Sequence, residues 1–340
     1  MNRCIYCRSE INHNEPPDDM TCSKEHIVQF ALGGSNSFTT MDASTKYNSD
    51  LGRDIDSKFI NLMPLAIKRH TLKLKGQSGT IPSIVWQARS LDNGEPSSIT
   101  IHPDGNIDYA FDPVVVKDIK NAHEERLVAG SPDRVQEILT GMLAKATKQG
   151  KTIYSETGER ISRLEDFEPH FEIEETDLFR ASVQAFDFEV WVRGIFKIVL
   201  GLGHVILGPD WTFSADGGDR VRSVLFCDRE HWPAQSMKGF VVGELPPTIR
   251  KVMGIMSSVS AANHHTLAIL PQEKETVAII SLFGGNGVPE ALVTLGSERG
   301  NLATVNDTMN PLTRVGVRID PTTRRTTWIT VADINHAAEP

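Results

Sequence analysis

Hydrophobic positions recur along this chain with two periods, and each period marks its own elements. Tyr47, Leu51, Ile55 and Phe59 stand four residues apart, a stripe that predicts a helix seated on one apolar side. Val135, Ile138, Leu139, Met142 and Ala146 share one face of a second helix, opened by Ser131-Pro132-Asp133 and stopped by Gly150. Phe188, Trp191, Val192, Ile195, Val199, Leu202 and Ile206 predict a third helix, from about residue 187 to 207. It is apolar on both faces and so belongs at the centre of a core. Elsewhere the period is two: polar and apolar residues alternate around Pro103-Asp104-Gly105-Asn106, a hairpin signal. Apolar runs at 266–270, 276–283 and 291–295 predict strands, and a closing hairpin at 315–331 turns on Pro321-Thr322-Thr323. The fold class expected is α+β.

The 340 residues suggest two domains. Small, turn-forming residues at 76–82 separate a basic run from a strand-like segment, which predicts a module at 1–75, a linker at 76–84 and a larger mixed α/β domain at 85–340. That larger domain is expected to serve substrate selection, dimerisation or regulation. The net charge of −9 speaks against a general nucleic-acid coat, because phosphate binding is driven by Lys and Arg replacing counterions. The charge is unevenly spread, however. Residues 46–75 carry seven basic residues (Lys46, Arg53, Lys58, Lys68, Arg69, Lys73, Lys75) against three acidic ones (Asp50, Asp54, Asp56). The apolar stretch 194–208 contains Lys197 and His204 and is shorter than the ~18 to 20 residues of a membrane crossing, so a buried helix is expected there. With no apolar run behind Arg3 to suggest a signal peptide, the expected location is cytoplasmic, away from membranes.

Three of the four cysteines fall in the first 22 residues. Cys4-Ile5-Tyr6-Cys7 is followed by Cys22-Ser23-Lys24-Glu25-His26-Ile27-Val28, then Ala31-Leu32-Gly33-Gly34, then Lys46-Tyr47-Asn48 and the segment 52–56. In this order the segments resemble an HNH endonuclease module, of the subgroup with a Cys-x-x-Cys start, a Glu-His-Ile/Val stretch, a Leu-Gly-Gly turn and a late Asn-bearing helix. The resemblance covers about residues 4–60. It implies a ββα-metal, treble-clef-like fold: a hairpin and a helix holding one divalent ion. Residues 23–28 and 37–42 can supply the strands, joined through Gly33-Gly34.

Phosphodiester hydrolysis needs a base for water and a cation to offset charge on the phosphoryl group and the leaving oxygen. His26 is the candidate base, since an imidazole with an ordinary pKa of about 6.5 accepts a proton at neutral pH when an acceptor holds its other nitrogen. The resemblance implies Asn48 as the helix-borne metal ligand and Glu25 as the strand-borne one, with Mg²⁺ or Mn²⁺ as the ion. Adjacent strand residues face opposite sides, so Glu25 and His26 can share a site only if the strand end is distorted. The family's middle Asn stays open between Asn36 and Asp42. The second cysteine pair usual before the helix Asn is missing here. A structural Zn²⁺ held by Cys4, Cys7, Cys22 and His13 is therefore set against ordinary buried thiols. Asn48 as a helix cap and Asp56 as a solvated or supporting carboxylate are the plainer alternatives. Lys68, Arg69, Lys73 and Lys75 are either a solvated face or phosphate contacts.

The function expected is a metal-dependent HNH endonuclease acting on DNA, by analogy in anti-phage defence or restriction. The rivals are a catalytically silent zinc-finger-like module binding nucleic acid or protein, and a ligand-gated nuclease whose C-terminal domain is a sensor. A homo-oligomer and a protein or small-molecule activator are the further partners considered. Gly284-Gly285-Asn286-Gly287 reads as a tight turn, and His264-His265 and Asp228-Arg229-Glu230-His231 have no partner motif.

Overall fold

The structure is a computed structural model that describes residues 3–13, 17–90, 96–111, 114–117, 125–128, 132–154, 158–163, 165–166, 179–181, 186–232, 237, 240–243, 263–271, 275–297 and 312–338. The chain forms a mixed α+β structure with antiparallel sheets. It divides into two compact units, one of Met1–Ile81 with Phe186–Pro340 and one of Pro82–Ala185. The first boundary falls inside the linker expected at 76–84. The second redraws the expected domains: residues 186–340 do not form a body with 85–185 but share one core with the N-terminal module.

The joint unit is built on the helix Phe188–Leu207, started by Asp187, whose side chain accepts the Val190 N–H at 3.0 Å. From Trp191 to Gly203 every residue but Arg193 is buried. One side packs on a six-stranded antiparallel sheet, in the order Val241–Gly243, Glu290–Thr294, Thr276–Ser281, His265–Pro271, Arg314–Ile319, Thr326–Thr330. The N-terminal module takes another side. A Cβ on Gly194 would lie 2.1 Å from the Phe59 ring and one on Gly201 3.0 Å from Ile27, so bare backbone at these positions lets the module seat directly on the helix. Although long and apolar enough to cross a membrane, this helix is mostly buried in the core.

The predicted strands and the closing hairpin are present. The run 276–283 ends as a strand at Ser281, because Phe283 and Gly284 adopt left-handed φ of 54° and 65°. In the Pro82–Ala185 unit a four-stranded sheet has the order Phe179–Ala181, Ile84–Ser90, Pro96–Ile101, Ile107–Phe111, with the expected turn at Gly105. Its helix spans Pro132–Lys148; Ser131, the expected start, lies outside the described residues.

In the module, strand Cys22–His26 pairs antiparallel with Thr39–Ser44, and the helix Thr45–Leu51 follows at once. Ser44 caps it, its side chain accepting the Tyr47 N–H at 3.4 Å, so Asn48 sits in the first turn and is not the cap. Residues Gly52–Asp56 widen into a π-helical turn before Ser57–Phe59. The stripe survives that insertion, with Leu51, Ile55 and Phe59 all buried.

Candidate functional site

The hairpin sorts its side chains by alternation. Register runs Cys22 opposite Ser44 and Ser23 opposite Ala43, then shifts so that Glu25 faces Thr40 and His26 faces Thr39. The shift leaves Met41 and Asp42 opposite Lys24 alone, a bulge in the second strand. From Lys24 onward the period of two holds: Lys24 and His26 lie on the outer face and Glu25 points inward, 5% exposed.

On the outer face both side chains converge on one atom. Asn36 Oδ1 lies 3.0 Å from His26 Nε2 and accepts from Lys24 Nζ at 3.1 Å. With that oxygen as acceptor, Nε2 carries the ring proton and Nδ1 keeps its lone pair. No described residue bonds to Nδ1. The loop bearing Asn36 is fixed at both neighbours: Ser35 and Ser37 share a hydroxyl contact of 2.8 Å, and Ser37 Oγ donates to Thr326 Oγ1 at 3.0 Å. Asp42 is elsewhere, 2.9 Å from His204 Nε2, and that ring is held in turn 3.0 Å from Thr212 Oγ1. Of the two candidates left open for the middle position, Asn36 is the one beside His26.

Asn48 lies close by on the helix. Its Nδ2 donates to Ser23 Oγ at 2.8 Å and to the Lys24 carbonyl at 3.1 Å, tying helix to strand and leaving Oδ1 with no partner among the described residues. Glu25 does not join this face. Its Oε1 accepts from Tyr6 OH at 2.9 Å and lies 2.7 Å from Lys197 Nζ, which also meets Asp56 Oδ2 at 2.5 Å. Alternation, which the bulge does not interrupt between residues 25 and 26, sends the carboxylate into the core. Burial pushes the Glu25 pKa up against the pull of Lys197, and the Asp56 charge adds to the rise. Burial alone would discharge Lys197, but Glu25 and Asp56 outweigh it and raise its pKa. The same surroundings push the Tyr6 phenol well above its ordinary range, chiefly through burial and then Glu25.

This changes the expected metal set. Glu25 is spent on Lys197, and Asp56, which also accepts from Gln29 Nε2 at 2.9 Å, is spent with it. Among the described residues Asn48 Oδ1 is the implied ligand atom left without a hydrogen-bond partner, and a divalent ion there would take its other oxygens from phosphate and water. The four expected zinc ligands form two separate pairs. Cys22 Sγ is 2.9 Å from His13 Nδ1. Cys4 is buried, donating to Ser44 Oγ at 3.7 Å and accepting the Ser44 N–H at 3.4 Å, with Cys7 close enough to feel its charge. Among the described residues no three His, Cys, Asp or Glu side chains are grouped as metal ligands.

The basic run also divides. Arg69 is 5% exposed and structural, its guanidinium donating to the carbonyls of Ala31 and Ile60 and to Asn61 Oδ1. Lys68 donates to Asn263 Oδ1 at 3.2 Å, while Lys73 and Lys75 stay exposed. Beyond His26, the Phe30 ring lies 5.2 Å from the imidazole and carries the Arg324 guanidinium 3.3 Å from its centroid. Sequence reasoning missed Arg324 and the roles of Tyr6 and Lys197. The signal for Lys197 was a lone lysine inside an apolar helix, which predicts a buried partner; Arg324 had none. Comparison with family models, with curated proteins and with solved structures finds no match.

Proposed function

We propose that residues 22–59 are the catalytic hairpin and helix of an HNH-type endonuclease that hydrolyses DNA phosphodiester bonds. One observation carries the reading: Asn36 Oδ1 holds the Nε2 side of His26 at 3.0 Å, which leaves Nδ1 with no partner among the described residues and available as a base. In the proposed step Nδ1 takes a proton from water, the water oxygen bonds to phosphorus, and the bond from phosphorus to the leaving sugar oxygen breaks, that oxygen keeping the bonding pair and taking a proton from solvent. Asn36 keeps its acceptor on Nε2–H and so stabilises the imidazolium that forms. Lys24 sets a positive charge on the same face, and Asn48 holds the strand to the helix by its two donated bonds. A divalent cation arriving with the phosphate would offset charge on the leaving oxygen.

A second reading is favoured by the place of Glu25. With that carboxylate paired to Lys197, the hairpin and helix can act as a silent DNA-binding module. Cleavage of supercoiled plasmid in Mg²⁺, Mn²⁺ or EDTA separates the two, comparing the chain with His26→Ala and Asn36→Ala. A catalytic base is worth ~10² to 10⁴ in rate, so His26→Ala should fall by that range and Asn36→Ala by less. Cutting that survives His26→Ala refutes the assignment of the base, and DNA binding without cutting by any of the three proteins favours the silent module.

A further inference from the structure

A cleft of about 400 Å³ is lined in part by Phe30, whose ring lies 5.2 Å from the His26 imidazole. Its walls come from two distant parts of the chain. Phe30 and the segment 72–76 form one, and the turn Pro321, Thr322 and Arg324 of the closing hairpin forms the other. Three of its lining residues are cationic, Lys73, Lys75 and Arg324, and none is acidic, in a chain whose net charge is −9. The nearest carboxylate along the chain, Asp320, is turned back into its own turn, accepting the N–H groups of Thr322 and Thr323 at 2.9 and 3.3 Å and the Thr323 hydroxyl at 2.7 Å.

Arg324 is held for presentation. Its Nη2 donates to the Lys75 carbonyl at 2.8 Å and its plane lies over Phe30, while Nε and Nη1 bond to no described residue. A planar guanidinium with two fixed sides and free donors on the others suits a phosphate oxygen. Lys73 and Arg324 both adopt left-handed φ, 54° and 58°, a conformation that costs a non-glycine residue energy and persists where surroundings impose it. Neither residue is glycine, so each bears that backbone cost at a position that supplies charge.

We propose that this cleft binds the DNA backbone next to the scissile bond, with Lys73, Lys75 and Arg324 on successive phosphates and Phe30 as the wall shared with His26. The inference rests on the nuclease reading for its choice of DNA, and it makes the C-terminal hairpin part of the substrate site. Duplex DNA binding is measured in EDTA over a range of salt, with His26→Ala protein so that nothing is cut, and then with Lys73→Gln, Lys75→Gln and Arg324→Gln added. Each lost phosphate contact removes ~0.9 from the slope of log K against log salt, so the triple change should flatten it by about three. Thr322→Lys, on the exposed rim, should steepen it by about one without removing any contact.

An unchanged slope in both variants overturns the proposal, as does a His26→Ala protein that binds no duplex at all. Neither outcome touches the cleavage assay, so DNA cutting with an unaltered slope would sink the cleft and leave the catalytic site standing. Conversely, a flattened slope with no cutting keeps the cleft only as a DNA-backbone site of the silent module and overturns its place beside a scissile bond.

Discussion

Lys197 reaches 2.7 Å from Glu25 across the interface of the central helix and the N-terminal hairpin, joining residues on either side of the second unit's insertion. Its side chain is 2% exposed and its ammonium serves two carboxylates, Glu25 and Asp56. Two anions beside one cation hold Lys197 charged against its burial, while burial first and then the Asp56 charge raise the Glu25 pKa against the pull of Lys197. The pair fixes the inward face of the strand whose outward face bears His26.

Removing the cation should therefore cost far more than removing the whole cluster. Lys197→Met strands two carboxylates and is expected to lower unfolding free energy by ~3 to 5 kcal/mol, whereas Lys197→Met with Glu25→Gln and Asp56→Asn should recover most of it. Urea unfolding of the two variants measures the difference. Equal losses in both would mean that the cluster adds nothing beyond packing.

His265 predicts a pH dependence of its own. Its Nε2 lies 2.8 Å from the Leu32 carbonyl and its Nδ1 accepts the Phe283 N–H at 3.2 Å, so the ring is buried neutral and burial holds its pKa down to about 4. A lowered pKa means that the unfolded chain binds the proton first. The stability from this group is complete above pH 6.5 and is lost as pH falls toward 4. At about 1.4 kcal/mol per unit, the loss between pH 7 and pH 4 should approach ~3 kcal/mol. Urea midpoints across this range check it, since His265→Leu should be weaker throughout but flatter; a parallel decline would remove His265 as the cause.

The Leu-Gly-Gly turn should tolerate no side chain at its first glycine. Gly33 has φ 89°, and a Cβ there would fall 2.4 Å from Pro321 of the closing hairpin. Gly79 has φ 75° with open space around it, so it carries the backbone strain alone. Gly79→Ala should cost ~1 to 2 kcal/mol, and Gly33→Ala clearly more, with weaker DNA binding because the Pro321 turn carries Arg324. Thermal unfolding of both gives the comparison, and similar shifts would show that the turn yields.

Much of the local structure was legible in advance because it repeats. The stripe from Tyr47 to Phe59, the all-round apolar helix and the closing hairpin all form, since periods of four and two report which side of an element is buried. Alternation also warned that Glu25 and His26 would part, and they do. The choice between Asn36 and Asp42 was not legible, because it depends on which loop folds back over the strand.

Sequence alone thus determined where the main helices and strands lie, that the central helix is buried, and which residue types could serve as base and ligand. Tertiary structure decided the partners: Lys197 for Glu25, Asn36 for His26, Arg324 over Phe30, and the union of 1–81 with 186–340. Periodicity records that a side chain faces inward, whereas the group it meets there is set by packing between segments far apart in the chain.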